Sequence, residues 1–187
     1  FHTNKEELRM DLTDPRYAKY ALVREMMETV SLVENFDSAQ SAEVAREIAE
    51  TGRLFLTGEG SSRIFPAKNA IRKALIWGLD LQVATDGSRQ ASQYDLSRFA
   101  VLCASNSGRT KEVVLLAQKL AAQGNPRRYC LSANSGTLLA QATTREFVLR
   151  CGWEQAVAAT KSVVEQALFY QSILCHIADR PMDLDGL

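Results

Sequence analysis

The sequence predicts an α/β fold, a three-layer αβα sandwich around a five-stranded parallel sheet. Five short apolar runs, at about 53–57, 81–85, 99–104, 127–132 and 146–150, alternate with stretches whose apolar residues fall at helical spacing. That alternation builds parallel sheets with helices on both faces. The runs are apolar along their length, as in Phe99-Ala100-Val101-Leu102-Cys103, which is the pattern of strands covered on both sides. Right-handed crossovers narrow the topology to a flavodoxin-like order.

Residues 1–14 are read as an N-terminal segment outside the domain, disordered or left by processing, with Met10 as a candidate natural start; residues 15–187 form one domain. An amphipathic helix is expected over 16–36, opening near Asp14-Pro15, and another over 38–50, stopped by Thr51-Gly52. The first strand runs into Gly58-Glu59-Gly60-Ser61-Ser62, and Ile64, Ala67, Ile71 and Leu75 continue as a helix. Pro66 is placed near that helix's first turn, where a missing N–H costs little. Asp86-Gly87-Ser88-Arg89-Gln90 reads as a turn into a short helix, either a crevice wall or a surface turn. Ser132-Ala133-Asn134-Ser135-Gly136 ends the fourth strand and is read as mainly structural.

The third strand opens into Ser105-Asn106-Ser107-Gly108-Arg109-Thr110 before Val113, Leu116, Ala117 and Leu120 resume a helix. A helix start presents unpaired N–H groups and the positive end of the macrodipole, so an anion fits there. Ser105, Ser107 and Thr110 add hydroxyl donors, and Gly108 permits close backbone approach. Phosphate binding and an ordinary helix cap both fit this segment taken alone. A second strand-to-hydroxyl-loop junction at Ser61 and Ser62 favours a shared crevice, where open α/β sheets bind ligands. The glycine-rich loop at 58–62 matches neither a dinucleotide fingerprint nor a Walker A motif, so a nucleotide is not indicated.

A third segment, Gly152-Trp153-Glu154-Gln155-Ala156-Val157-Ala158-Ala159-Thr160-Lys161-Ser162, leads into the last helix. Taken in order, the three segments resemble those of the sugar isomerase (SIS) domain family. The likeness is greatest to the first SIS domain in the isomerase half of the glutamine–fructose-6-phosphate amidotransferases, and it covers roughly residues 15–180. The resemblance implies the SIS fold, with Ser61, Ser62, Ser105, Asn106, Ser107, Gly108 and Thr110 around a phosphosugar's phosphate and Val157 and Ala158 along the sugar. Glu154 matches a glutamate given a catalytic part in arabinose-5-phosphate isomerase relatives. Arg109 replaces the family's more usual glutamate; it either contacts phosphate or points to solvent.

With 187 residues and 46% hydrophobic content the chain can bury one substantial core. Twenty-two basic and 22 acidic residues balance, which leaves no field for nucleic acid. Cys103, Cys130, Cys151 and Cys175 show no Cys-x-x-Cys spacing and read as reduced core residues of a cytoplasmic protein. With His2 and His176 as the only histidines, a histidine-rich metal site is excluded, and no cofactor is expected. No run approaches the roughly 18 apolar residues of a membrane span.

The activity implied is aldose–ketose isomerisation of a phosphosugar, which moves a proton between adjacent carbons and needs a carboxylate near them and an acid for ring opening. Glu154 is the first base candidate and Glu59 the second, with Lys161 a helper and His176 a candidate acid. Glu154 and Lys161 have a plainer reading as a pair or a cap of the last helix, and His176 one as a helix residue. Three functions stay open: a single-domain isomerase, the first half of a longer two-domain isomerase or deaminase, and a phosphosugar-sensing module without turnover. Apolar residues on more than one face of the last helix, with Val23, Met26, Met27 and Val30 on the first, suggest a homodimer or a deeply buried helix.

Overall fold

The computed structural model describes residue 11 and residues 14–184. Most of the expected N-terminal segment, including Met10, lies outside the described residues. Asp14, where the sequence has the first helix opening, caps its first turn: its carboxylate accepts the Arg16 N–H at 2.8 Å.

The helix expected over 16–36 is two pieces, α1 (Pro15–Ala18) and α2 (Ala21–Glu34). The break falls at Tyr20, whose backbone is extended. The Arg24 guanidinium donates to the carbonyls of Ala18 and Lys19, both at 3.1 Å, and so satisfies groups that a continuous helix would have paired internally. The second expected helix opens as a 3-10 turn, Ser38–Ser41, with Asp37 accepting the Ala39 N–H, and becomes α3 (Ala42–Thr51), which ends at Gly52.

Five parallel strands follow, in the spatial order β2-β1-β3-β4-β5: β1 (Arg53–Gly58), β2 (Gln82–Gly87), β3 (Ala100–Ala104), β4 (Arg128–Ser132) and β5 (Arg145–Val148). Between them lie α4 (Ser61–Ile76), α5 (Ser88–Ala91), α6 (Lys111–Ala122) and α7 (Leu138–Gln141), and α8 (Lys161–Ala178) closes the domain. The strand expected to reach residue 150 ends at Val148. Beyond it the Arg150 and Cys151 N–H groups turn to the buried Glu165 carboxylate on α8, at 2.8 and 2.6 Å, instead of a strand.

Successive strand residues feed opposite cores, as a period of two requires. Leu54, Leu56 and Leu102 pack with α3, α4 and α8, including Ile48, Phe169 and Ile173. Phe55, Val101 and Cys103 pack with α5, α6 and α7, including Leu116 and Leu139. All four cysteines are free and buried; burial pushes the Cys103 thiol up to about 12 and Cys130 up to about 11.

Pro66 stands inside α4, one turn later than the sequence suggests. It has no N–H to give the Ser62 carbonyl four residues earlier. Gln166, a buried residue of α8, donates its Nε2 there at 2.6 Å and also lies 2.8 Å from the Tyr170 hydroxyl. The proline is tolerated because another helix supplies the missing donor, and that donor fixes the turn carrying Ser62.

Candidate functional site

β2 lies on one side of β1 and β3 on the other, so the connections after β1 and β3 leave the sheet in opposite senses and open a crevice at the strands' carboxyl ends. A cavity of about 220 Å³ occupies it. Ser62 from the start of α4 lines one side; Ser105, Asn106, Ser107 and Thr110, between β3 and α6, line the next. Trp153, Glu154, Glu59 and Ala104 add to the wall, and among the described residues no lysine or arginine lines it. The amino ends of α4, 16 residues long, and α6, 12 residues long, converge on this space, bringing their partial positive charge to it.

The β3–α6 loop is tightly specified. Ser105 Oγ lies 2.8 Å from Thr110 Oγ1, and the Gly108 N–H reaches the Ser105 carbonyl at 2.9 Å. Ser107 Oγ accepts the Arg109 N–H at 3.2 Å. The segment after β4 backs the loop: the Asn106 carbonyl accepts from Ala133 N–H at 3.0 Å and Asn134 Nδ2 at 3.4 Å. Gly108 has φ +61°, and a Cβ there would stand 2.4 Å from the Thr137 side chain. Both facts require glycine.

Glu154 is a heavily engaged carboxylate. Its Oε1 accepts the Thr160 N–H at 2.8 Å, the Thr160 hydroxyl at 3.1 Å and the Ser162 N–H at 3.1 Å. Its Oε2 accepts Asn106 Nδ2 at 3.1 Å and the Ser162 hydroxyl. Burial raises its pKa, but the bonds from Ser162 and Thr160 outweigh burial and hold it below the usual carboxylate range. Because Glu154 can only accept, it fixes the Asn106 amide and leaves Oδ1 buried without a donor.

Glu59 is less committed: its Oε1 accepts the Ser88 N–H at 2.9 Å. Ser88 is in turn 3.0 Å from the Thr57 hydroxyl, so the turn after β2 braces the β1 loop rather than lining the cavity itself.

Of the residues singled out by sequence, the cavity brings together Glu59, Ser62, Ser105, Asn106, Ser107, Thr110 and Glu154. Ser61 begins α4 beside it, and Gly108 shapes the loop from behind. Val157 and Ala158 are exposed and stand outside the lining. Lys161 turns away and pairs with Glu28 at 2.5 Å, so it does not pair with Glu154. His176 sits near the opposite end of α8, about 20 Å along the helix from Ser162, with Nε2 2.9 Å from the Ser38 carbonyl. The Arg109 side chain is exposed and outside the lining. Trp153, to which the third motif assigns no role, is 67% exposed at the cavity wall. A large aromatic next to the motif's glutamate was the available signal.

A parallel sheet in 2-1-3-4-5 order is the flavodoxin-like arrangement, and the solved structures that share it with this chain give it the fold of the SIS domain. No family model and no curated protein sequence matches it. Among solved structures it is similar to a provisionally named phosphosugar isomerase from Silicibacter pomeroyi DSS-3, with 25% identity and a TM-score of 0.67 over 83% of this chain and 50% of that one. It is also similar to the C-terminal domain of glucosamine-fructose-6-phosphate aminotransferase from Francisella tularensis, with 20% identity and a TM-score of 0.68 over 86% of this chain and 48% of that one. A protein of E. coli CFT073 in complex with a phosphosugar ligand aligns with 19% identity and a TM-score of 0.68 over 90% of this chain and 92% of that one. The chain spans about half the length of the first two. Among the described residues no helix is long and apolar enough to cross a membrane.

Proposed function

We propose that this chain is a phosphosugar-binding SIS domain, a phosphosugar isomerase of the aldose–ketose type or the phosphate-gripping half of one, acting in the cytoplasm. The observation that carries this reading is the convergence of two long helix amino ends and the hydroxyls of Ser62, Ser105, Ser107 and Thr110 on one small cavity. Such a cradle suits a dianionic ester, because dipoles and hydroxyls neutralise it without a broad basic surface. Glu59, Glu154 and Trp153 lie at the same cavity and suit the sugar: carboxylates accept hydroxyl hydrogens, and an indole offers an apolar face.

The test is a melting series with each phosphosugar beside its free sugar, including fructose 6-phosphate, glucosamine 6-phosphate and arabinose 5-phosphate. At about 100-fold above Kd the bound form gains roughly 2.7 kcal/mol, several degrees for a domain of this size. Shifts confined to phosphorylated members support the reading, and no shift with any pair counts against it. Saturable binding without turnover by the full-length protein would identify the sensing module instead. Ser107→Ala is expected to weaken phosphosugar binding by about 1–3 kcal/mol, the worth of a hydroxyl bonded to a charged oxygen; unchanged affinity removes Ser107 from the cradle.

For proton transfer Glu59 is the better placed carboxylate. Glu154 already accepts five bonds, against about four lone-pair sites, whereas Glu59 accepts one. Glu59→Gln is expected to lower kcat by about 100-fold or more while the phosphosugar Kd moves little. A matching loss in kcat from Glu154→Gln alone would reverse this assignment.

The same reading includes a homodimer. α2 exposes Leu22, Met26, Met27 and Val30, each between 41 and 56%. A groove of about 770 Å³ runs beside them, lined by Val33 of α2 and by Val163, Val164 and Ala167 of α8. An apolar face of this extent suits a second copy. Val30→Glu is expected to convert a dimer to a monomer in sedimentation; an unchanged mass places the contact elsewhere.

A further inference from the structure

Between β5 and α8 the stretch holding Trp153 and Glu154 has neither helix nor strand to hold it. Glu154 ties its own end to α8. The second anchor comes from α2, in the form of Glu25. Its Oε1 accepts the Gln155 N–H at 2.5 Å and its Oε2 the Ala156 N–H at 3.2 Å. Glu25 is the one buried residue of α2, 5% exposed on a helix whose neighbouring Met26 and Met27 are exposed. Burying a carboxylate is costly unless its oxygens are hydrogen-bonded, and here two consecutive backbone N–H groups bond one to each oxygen. The flanking residues reach the same way: Arg24 Nη2 lies 3.4 Å from Gln155 Oε1, and Glu28 pairs with Lys161. α2 therefore grips this stretch at a point one and two residues past the two side chains that line the cavity.

We infer that Glu25 is a positioning residue for the sugar-side wall: its grip on Gln155 and Ala156 sets where Trp153 and Glu154 stand. The hydroxyls of the phosphate cradle, Ser62, Ser105, Ser107 and Thr110, hang instead on the loops after β1 and β3, to which Glu25 makes no hydrogen bond; the Asn106 side chain, held by Glu154, links the wall to the second of these loops. Releasing Glu25 thus separates recognition of the sugar from recognition of the phosphate. This inference rests on the phosphosugar reading of the cavity.

The experiment uses the chain carrying Trp77→Phe, which leaves Trp153 as the single tryptophan, with Glu25→Gln as the isosteric variant. The readouts are Trp153 fluorescence anisotropy without ligand, and the Kd values of inorganic phosphate and of the best phosphosugar from the melting series. Glu25→Gln is expected to lower the anisotropy, to raise the phosphosugar Kd tenfold or more and to leave the phosphate Kd within twofold. Unchanged anisotropy overturns the inference, as does an equal loss for both ligands, which is the mark of general damage. If the parent protein binds no phosphosugar, the functional reading fails, and the anisotropy alone then decides whether Glu25 holds the wall.

Discussion

Gly108→Ala is expected to lower the melting temperature by about 10 °C and to abolish phosphosugar binding. Two costs combine. The left-handed backbone at φ +61° costs an alanine roughly 1–2 kcal/mol, and a Cβ 2.4 Å from the Thr137 side chain must be relieved by shifts costing about 1–3 kcal/mol more. At about 2–4 °C per kcal/mol for a chain of this length, the sum is large. Movement is not free here, because the Gly108 carbonyl accepts the Leu139 N–H at 3.1 Å and the loop cannot slide without breaking it. Gly136→Ala separates the two costs, since Gly136 has φ +64° with nothing within 4 Å of its Cβ position. It should show the backbone cost alone. Equal melting shifts for the two variants would mean that Thr137 yields freely and that the loop is not held as described.

Glu154→Ala is expected to cost about 2–3 kcal/mol, read from urea unfolding. It strips the amino end of α8 of its acceptor and leaves the N–H groups of Thr160 and Ser162 without their charged partner. The pH dependence follows from the depressed pKa. A carboxyl whose folded pKa lies below its unfolded value of about 4.3 contributes its full stabilisation above that unfolded value. The contribution declines as the pH falls below it and is gone once the pH passes through the folded pKa. The stability difference between the parent and Glu154→Gln should therefore be constant near neutrality and shrink on acidification through that window. A difference that grows with acid would mean that Glu154 is raised, not lowered, and would restore it as the candidate base.

These two residues show how unevenly the sequence speaks. Gly108 was legible in a strand-loop-helix segment because few other residues permit such a turn, though its reason, the Thr137 side chain behind it, lies 29 positions away. Glu154 was legible as a polar residue at the third motif, but whether it moves protons or caps a helix depends on five bonds from Asn106, Thr160 and Ser162. His176 drew attention through its chemistry, and its place near the far end of α8 takes it from the cavity. Trp153, an isolated aromatic in a loop, carries no periodic signal, and only the packed chain puts it at the cavity wall.

By itself the sequence determined the α/β class, the five strands, the hydroxyl loops at the ends of β1 and β3 and the absence of a nucleotide motif. Each of these is written in local periodicity, in runs of apolar residues and in the glycine and hydroxyl content of single loops. The tertiary structure alone decided the break between α1 and α2, the Gln166 donor that lets Pro66 stand inside α4, the saturation of Glu154 and the reach of Glu25 to the loop before α8. Those features depend on which donor meets which acceptor across separations of up to about 130 residues. A hydrogen bond is sensitive to tenths of an ångström and to direction, and no pattern along the chain encodes that until the helices have packed.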